Sequence, residues 1–134
     1  MGCKSGLYAV NNNAQALAIN GIINFGNVVR RFGCHTNMDG GNVILRGSGY
    51  YTVMMKVVVT NASEAAITPT ITLYKDGTAY SGALATETIA VGATRTFVIP
   101  CMIRETCDCD STITAVLTGA AATINNATIT VVKI

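Results

Sequence analysis

The side chains best suited to chemistry are concentrated in one stretch that holds Cys101, Cys107, Asp108, Cys109 and Asp110. Thiolates and carboxylates could bind Zn²⁺ there, or the thiols could form a cross-link. The C-x5-C-x-C spacing is not a recognised zinc spacing, and a C-x-C pair holds its thiols poorly for tetrahedral chelation. We therefore predict no metal site. Whether Cys101, Cys107 and Cys109 form a disulfide or remain loop thiols is left open, as is cation binding by Asp108 and Asp110.

A catalytic set cannot be assembled from the remaining reactive residues. His35, which follows Cys34, is the only histidine in the chain. A nucleophile–histidine–acid arrangement needs an acid that orients the histidine. The acids elsewhere lie in or near predicted turns and have no paired base; they are Asp39, Glu64, Asp76 and Glu87. The sequence thus predicts a protein that is not an enzyme and uses no cofactor.

The composition is poor in charge and rich in apolar residues. Only 12% of residues are charged, about half the usual share of ~25%, and 50% are hydrophobic. The net charge is +2, and Arg30 and Arg31 are the only adjacent basic pair. Nucleic acids and membranes are therefore excluded as expected partners. A small domain with so little charge is expected to hide part of its surface in an oligomer.

The N-terminal residues 1–13 read as an extended arm ahead of a single domain, residues 14–134. No apolar run follows Met1, so we expect no signal peptide. The odd number of cysteines, five, and this start suggest synthesis in a reducing cytosol. We expect the arm to attach the protein to a particle, with Cys3, Leu7 and Tyr8 as anchoring residues. An exposed Cys3 thiol could also form a covalent link to a neighbour.

The chain is organised around a predicted strand at residues 49–60, GYYTVMMKVVVT. Apolar residues recur there at a period of two, which is typical of a strand with one buried face. The face predicted to line the core contains Tyr51, Val53, Met55, Val57 and Val59. The opposite face mixes Thr and Lys with apolar residues, which favours partial cover by another subunit.

The rest of the chain predicts about eight to ten short strands at regular spacing, a pattern typical of a β-sandwich or barrel. Ala14–Ile19 is too short for a stable helix and is interpreted as extended or as a single turn. Ile22–Arg31 is expected to form a strand that is broken or bulged at Gly26. Lys75-Asp76-Gly77-Thr78 is a hairpin signal.

The order of four segments resembles the TNF-like jelly-roll superfamily, bacterial and bacteriophage branch. The segments are Asn20-Gly-Ile-Ile-Asn-Phe-Gly, Gly49-Tyr-Tyr-Thr-Val, Leu73-Tyr-Lys-Asp-Gly and Asn126-Ala-Thr-Ile-Thr-Val-Val-Lys-Ile. In the order of these segments, the chain is similar to the C-terminal domains of collagen-like spore-surface proteins and to phage head-fibre or decoration proteins. The resemblance implies an all-β, two-sheet antiparallel jelly-roll sandwich that forms a homotrimer.

Apolar residues on the outward faces of two strands predict where such a trimer would associate. The last strand has Ile129 and Val131 on its inward face, so the residues that alternate with them point outward. Two strands that are apolar on both faces imply a second buried surface. The predicted trimer interface contains Tyr50, Met54, Val58, Val132 and Ile134.

Together these observations predict a non-enzymatic structural protein, a trimeric jelly-roll knob displayed on a particle surface. The expected setting is a bacteriophage capsid decoration or head-fibre protein on the virion surface, with its arm bound to a major capsid protein or another particle-surface protein. The alternative is a receptor- or glycan-binding tip module of a phage fibre or a spore-surface protein. That protein would bind a host-surface glycan or receptor and would lie on a spore or bacterial cell surface.

Overall fold

A computed structural model describes residues 4–106 and 110–134, and their regular secondary structure is entirely β. Within these ranges no helix is long and apolar enough to cross a membrane. The strands are β1 (Ser5–Asn11), β2 (Gln15–Leu17), β3 (Ile22–Ile23), β4 (Asn27–Phe32), β5 (Thr36–Asp39), β6 (Asn42–Arg46), β7 (Gly49–Thr60), β8 (Thr70–Lys75), β9 (Thr78–Thr86), β10 (Thr94–Glu105), β11 (Asp110–Thr118) and β12 (Ala122–Lys133).

The strands form two antiparallel sheets. The first sheet has the order β10-β7-β12-β1-β4, and β2 also pairs with β12. The second sheet has the order β5-β6-β11-β8-β9, and β3 also pairs with β11. Strands that are remote in sequence are neighbours in both sheets, as jelly-roll connections require. The predicted all-β, two-sheet jelly-roll sandwich is confirmed.

The core lies between the sheets, and β7 supplies much of it. The five β7 residues predicted to face inward are all buried: Tyr51, Val53, Met55, Val57 and Val59. The partner strands add inward residues at matching positions, since Phe97 of β10 and Ala127 of β12 flank Val57. Such side chains each contribute roughly 1.5–3 kcal/mol when they leave water. The predicted assignment of the two faces of β7 is confirmed.

The break expected at Gly26 carries the chain from one sheet to the other. β3 pairs with β11 in the second sheet, whereas β4 pairs with β1 in the first. Gly26 has a φ of 72°, a left-handed conformation that favours glycine. A Cβ atom there would also lie 2.6 Å from the Val10 carbonyl oxygen.

The hairpin expected at Lys75–Thr78 joins β8 to β9. Asp76 has a φ of 51° and Gly77 a φ of 81°. Positive φ at both central residues is the requirement of a type I′ turn. Lys75 and Thr78 close the hairpin as a paired position of the ladder.

The structure differs from the expectation that residues 1–13 form an arm outside the sandwich. Residues 5–11 form β1, an interior strand with β12 on one side and β4 on the other. Leu7 is only 2% exposed, and Ala9 is fully buried. Both sides of β1 are hydrogen-bonded in ladders, and its inward residues fill the core, so this segment is part of the domain. Residues 1–3 lie outside the described part of the chain.

Candidate interaction surface

The outer face of the first sheet has large apolar side chains that the single chain leaves exposed. Met54 of β7, Val98 of β10 and Met102 of β10 are each more than half exposed. Contiguous apolar surface of this kind marks an interaction site. We call the following residues the apolar face: Tyr50, Met54, Val98, Pro100, Met102, Val132 and Ile134.

Strand register brings these side chains together. β10, β7 and β12 are neighbours, and neighbouring strands lie roughly 4.8 Å apart. The register sets two rows across the face, Met102–Thr52–Val132 and Pro100–Met54–Thr130. A groove of about 550 Å³ lies along these rows and is lined mainly by apolar atoms. Because the residues come from strands that are distant in sequence, only the fold creates this groove.

One end of the apolar face is held by contacts around Tyr50. The Arg104 guanidinium carbon lies 5.7 Å from the centre of the Tyr50 ring, a cation–π geometry. The Ile134 backbone N–H donates to the Tyr50 carbonyl oxygen at 2.9 Å. These contacts keep Ile134 beside β7, so that this residue, the most exposed of the large apolar residues that the structure describes, belongs to the face.

The apolar surface continues across the sheet to β4. The Phe32 ring covers Gly6 so closely that a Cβ atom on Gly6 would lie 2.4 Å from the ring. A small cavity of about 90 Å³ is lined there by residues that include Tyr8, Arg30 and Val132. Phe32 is 55% exposed, so the far end of the sheet also has an apolar contact surface.

All five residues of the predicted trimer interface lie on this one side of the first sheet. Four of them are exposed, and Val58 is half-buried. Sequence reasoning missed Val98, Pro100, Met102 and Phe32. For β10 a signal was present, because Val98, Pro100 and Met102 alternate with the inward residues Phe97, Ile99 and Ile103.

The residues expected to anchor the chain are separated by the fold. Leu7 is buried in the core and cannot contact a partner. Tyr8 points outward and is 38% exposed. Cys3 lies outside the described residues, as do Cys107, Cys109 and Asp108.

The described cysteines, Cys34 and Cys101, are free thiols. Cys101 lies on β10, where burial raises the pKa of its thiol. Cys34 is exposed, with its Sγ 3.7 Å from His35 Nδ1. In residues 4–106 and 110–134, no group of three or more His, Cys, Asp or Glu side chains could hold a metal ion. Cys107 and Cys109 lie outside these ranges, so the two alternatives for them, a disulfide or loop thiols, remain predictions.

Tyr51 is the most strongly perturbed titratable group in the described chain. The pKa of Tyr51 is raised to about 12, mainly by burial and to a smaller extent by the Glu105 carboxylate and then Cys34. Its hydroxyl donates to the carbonyl oxygens of Arg46, at 3.0 Å, and Gly47, at 2.9 Å. These bonds fix the turn between β6 and β7, so Tyr51 has a structural role.

No protein-family profile matches the chain, and no curated protein matches it. Solved structures do match over nearly the whole chain. Eiger TNF from S. frugiperda has a TM-score of 0.71 at 7% identity, covering 98% of this chain and 91% of that one.

Two further structures match similarly. Murine APRIL at pH 5.0 has a TM-score of 0.69 at 16% identity, covering 98% of this chain and 100% of that one. The PRD1 vertex protein P5, from a phage, has a TM-score of 0.61 at 15% identity, covering 97% of this chain and 96% of that one. At such low identities the likeness concerns architecture, and it shows that the chain has the TNF-like jelly-roll fold.

Proposed function

We propose that this protein is a non-enzymatic structural module, a homotrimer of jelly rolls displayed on a particle surface. The observation that carries the proposal is the apolar face of the first sheet. A chain with few charges leaves Met54, Val98 and Met102 in water on one continuous surface. A second copy of the same chain would cover this surface and remove it from water.

The charges beside the apolar face favour a ring over a twofold dimer. The outward residues of the first sheet include Arg30, Lys56 and Arg104, and its described strands place no acid among them. A twofold interface brings a patch against its own copy, so these cations would repel one another. In a ring, the apolar face of one subunit meets a different surface of the next subunit, so the cations do not face their own copies. The TNF-like fold supports a ring that closes with three subunits.

The setting that we propose is the surface of a bacteriophage virion, as a capsid decoration or head-fibre protein. Support comes from the likeness to the PRD1 vertex protein P5 and from the compact body with little charge. In this proposal attachment to a major capsid protein, or to another particle-surface protein, uses the residues before β1, including Cys3. Tyr8 is available to assist, whereas Leu7 is not, because it is buried.

Immunogold electron microscopy of intact virions tests this setting. Antibodies raised against the folded protein are expected to label the outside of the capsid. Labelling restricted to a tail tip or to spores would contradict the decoration role. It would favour the second candidate, a receptor- or glycan-binding tip module of a phage fibre or a spore-surface protein. A cleft with no charged lining residue, lined by the amides of Asn11, Asn13, Asn24 and Asn27 among others, favours that alternative.

A further inference from the structure

A polar cleft lies away from the apolar face, where the end of β1, β2 and the start of β4 meet the turn between β5 and β6. Its volume is about 760 Å³, within the range of roughly 300–1,000 Å³ usual for small-molecule sites. The lining contains no charged side chain. It consists of Asn11, Asn13, Gln15, Asn24, Gly26, Asn27, Val28, Met38, Gly40 and Gly41.

Asn24, which lines this cleft, is held by hydrogen bonds on both its backbone and its side chain. Its backbone N–H donates to Gln15 Oε1 at 3.0 Å, and its carbonyl oxygen accepts from Gln15 Nε2 at 2.8 Å and Asn11 Nδ2 at 2.9 Å. Its side-chain Oδ1 accepts from the Gly26 N–H at 2.7 Å. A Cβ atom on Gly41 would lie 2.3 Å from that oxygen. The Asn24 amide therefore packs directly against Gly41, and the Gly26 N–H holds its oxygen.

Several amide groups in the cleft keep unused hydrogen-bonding capacity. Within the described chain, the side chains of Asn13 and Asn27 make no hydrogen bond, and Asn24 Nδ2 donates none. Each side-chain amide offers two N–H donors and one carbonyl acceptor. The cleft thus presents amide donors and acceptors side by side without net charge.

We propose that this cleft binds an uncharged saccharide. Sugar hydroxyls both donate and accept, which matches amide groups, and an anionic sugar would find no cation here. Val28 and Met38 provide apolar contact for the C–H face of a sugar ring. An extended peptide would need pockets for alternate side chains, whereas eight of the ten lining residues are amides or glycines.

The test begins with an array that carries neutral oligosaccharides, built from hexoses and N-acetylhexosamines, beside sialylated and sulfated ones. We expect the protein to bind only the neutral oligosaccharides of the array. Calorimetry with the best neutral oligosaccharide then compares variants. Asn27→Asp keeps the side-chain shape but replaces two donors by a charge, and Asn13→Ala removes an amide from an exposed turn. Each is expected to weaken binding about tenfold, the effect of roughly one lost hydrogen bond.

Asn37→Ala is the matched control, because Asn37 lies on the adjacent β5 but does not line the cleft. It should leave the affinity unchanged. Failure of all neutral oligosaccharides to bind, a preference for anionic ones or for peptides, or equal affinity in Asn13→Ala and the control would each overturn the proposal.

The saccharide site does not depend on the proposed trimer, because one chain supplies every lining residue. A variant that dissociates the assembly, such as Met54→Asp, should therefore bind the neutral oligosaccharide as the wild type does. A wild-type protein that assembles but binds no neutral oligosaccharide would count against the saccharide site alone. Retained binding by a protein that never trimerises would count against the trimer alone.

Discussion

Glu105 of β10 and Lys75 of β8 form an ion pair that joins the two sheets, with Glu105 Oε1 and Lys75 Nζ 3.4 Å apart. The Glu105 side chain is only 3% exposed, whereas that of Lys75 is 25% exposed. A buried carboxylate is tolerated when a cation lies beside it. The pair therefore links the β10 edge of the first sheet to the second sheet.

Removal of the Lys75 cation alone should lower the stability of the fold. In Lys75→Met, Glu105 keeps its buried charge without this partner, and we expect the free energy of unfolding to fall by about 3 kcal/mol. Denaturant unfolding, monitored by circular dichroism, measures this change in the free energy of unfolding. The double variant Lys75→Met/Glu105→Leu should recover much of the loss, because the charge is removed together with its partner. A double variant that is less stable than Lys75→Met would refute this explanation.

The raised pKa of Tyr51 predicts a loss of stability at alkaline pH. The buried hydroxyl ionises near pH 12 in the folded chain, whereas an unfolded tyrosine ionises near pH ~10. Between these values the unfolded state binds fewer protons than the folded state, so unfolding becomes easier as pH rises. The free energy of unfolding should therefore fall between about pH 10 and pH 12.

Tyr51→Phe is the control for this pH dependence. It lacks the ionising hydroxyl, so its stability should fall less steeply over the same range, although the lost bonds to Arg46 and Gly47 lower its stability at neutral pH. Tyrosinate absorbance should also show an ionisation near pH 12 that is absent from Tyr51→Phe. Identical pH slopes in the two proteins would show that Tyr51 is not responsible.

The position of β1 predicts where an N-terminal truncation becomes harmful. A chain that lacks residues 1–4 should fold, because the ladders of β1 begin at Ser5. A chain that lacks residues 1–11 should not yield soluble folded protein, since β12 and β4 lose their shared partner and the core loses Leu7 and Ala9. Expression yield and circular dichroism distinguish the outcomes. A folded product of the longer deletion would show that β1 is dispensable.

The sequence predicted β7 and its two faces well, because twelve consecutive residues alternate with a clear period. It allowed a short strand at Leu7–Val10 but assigned that stretch to an arm, not to the interior of the sandwich. The stretch Leu7–Val10 is short, and the strand that pairs with it, β12, lies more than a hundred residues further along the chain. The order of apolar and polar residues within a short segment contains no information on pairing between strands so distant in sequence. For the same reason the Glu105–Lys75 pair and the amide-lined cleft became visible only in the folded chain.

A charge on the apolar face should separate the subunits. Met54 is 53% exposed in the single chain, so Met54→Asp should not disturb the fold of one chain. In the assembly it would bury an unpaired carboxylate, which costs several kcal/mol. The variant should elute later in size-exclusion chromatography, with an unchanged β circular-dichroism spectrum.

Leu84→Asp is the matched control. Leu84 is also 53% exposed, but it lies on β9 of the second sheet and is not part of the apolar face. It should elute with the wild type. If both variants shift equally, or if neither does, the apolar face is not the association surface.

The number of chains in the assembly decides whether this protein is a trimeric surface knob, and light scattering coupled to size-exclusion chromatography measures that number. A closed ring of three 13.9 kDa chains should give a mass of about 42 kDa that stays constant on dilution through the micromolar range. A mass of one or two chains at micromolar concentration would contradict the trimer and, with it, the proposed role as a trimeric surface knob.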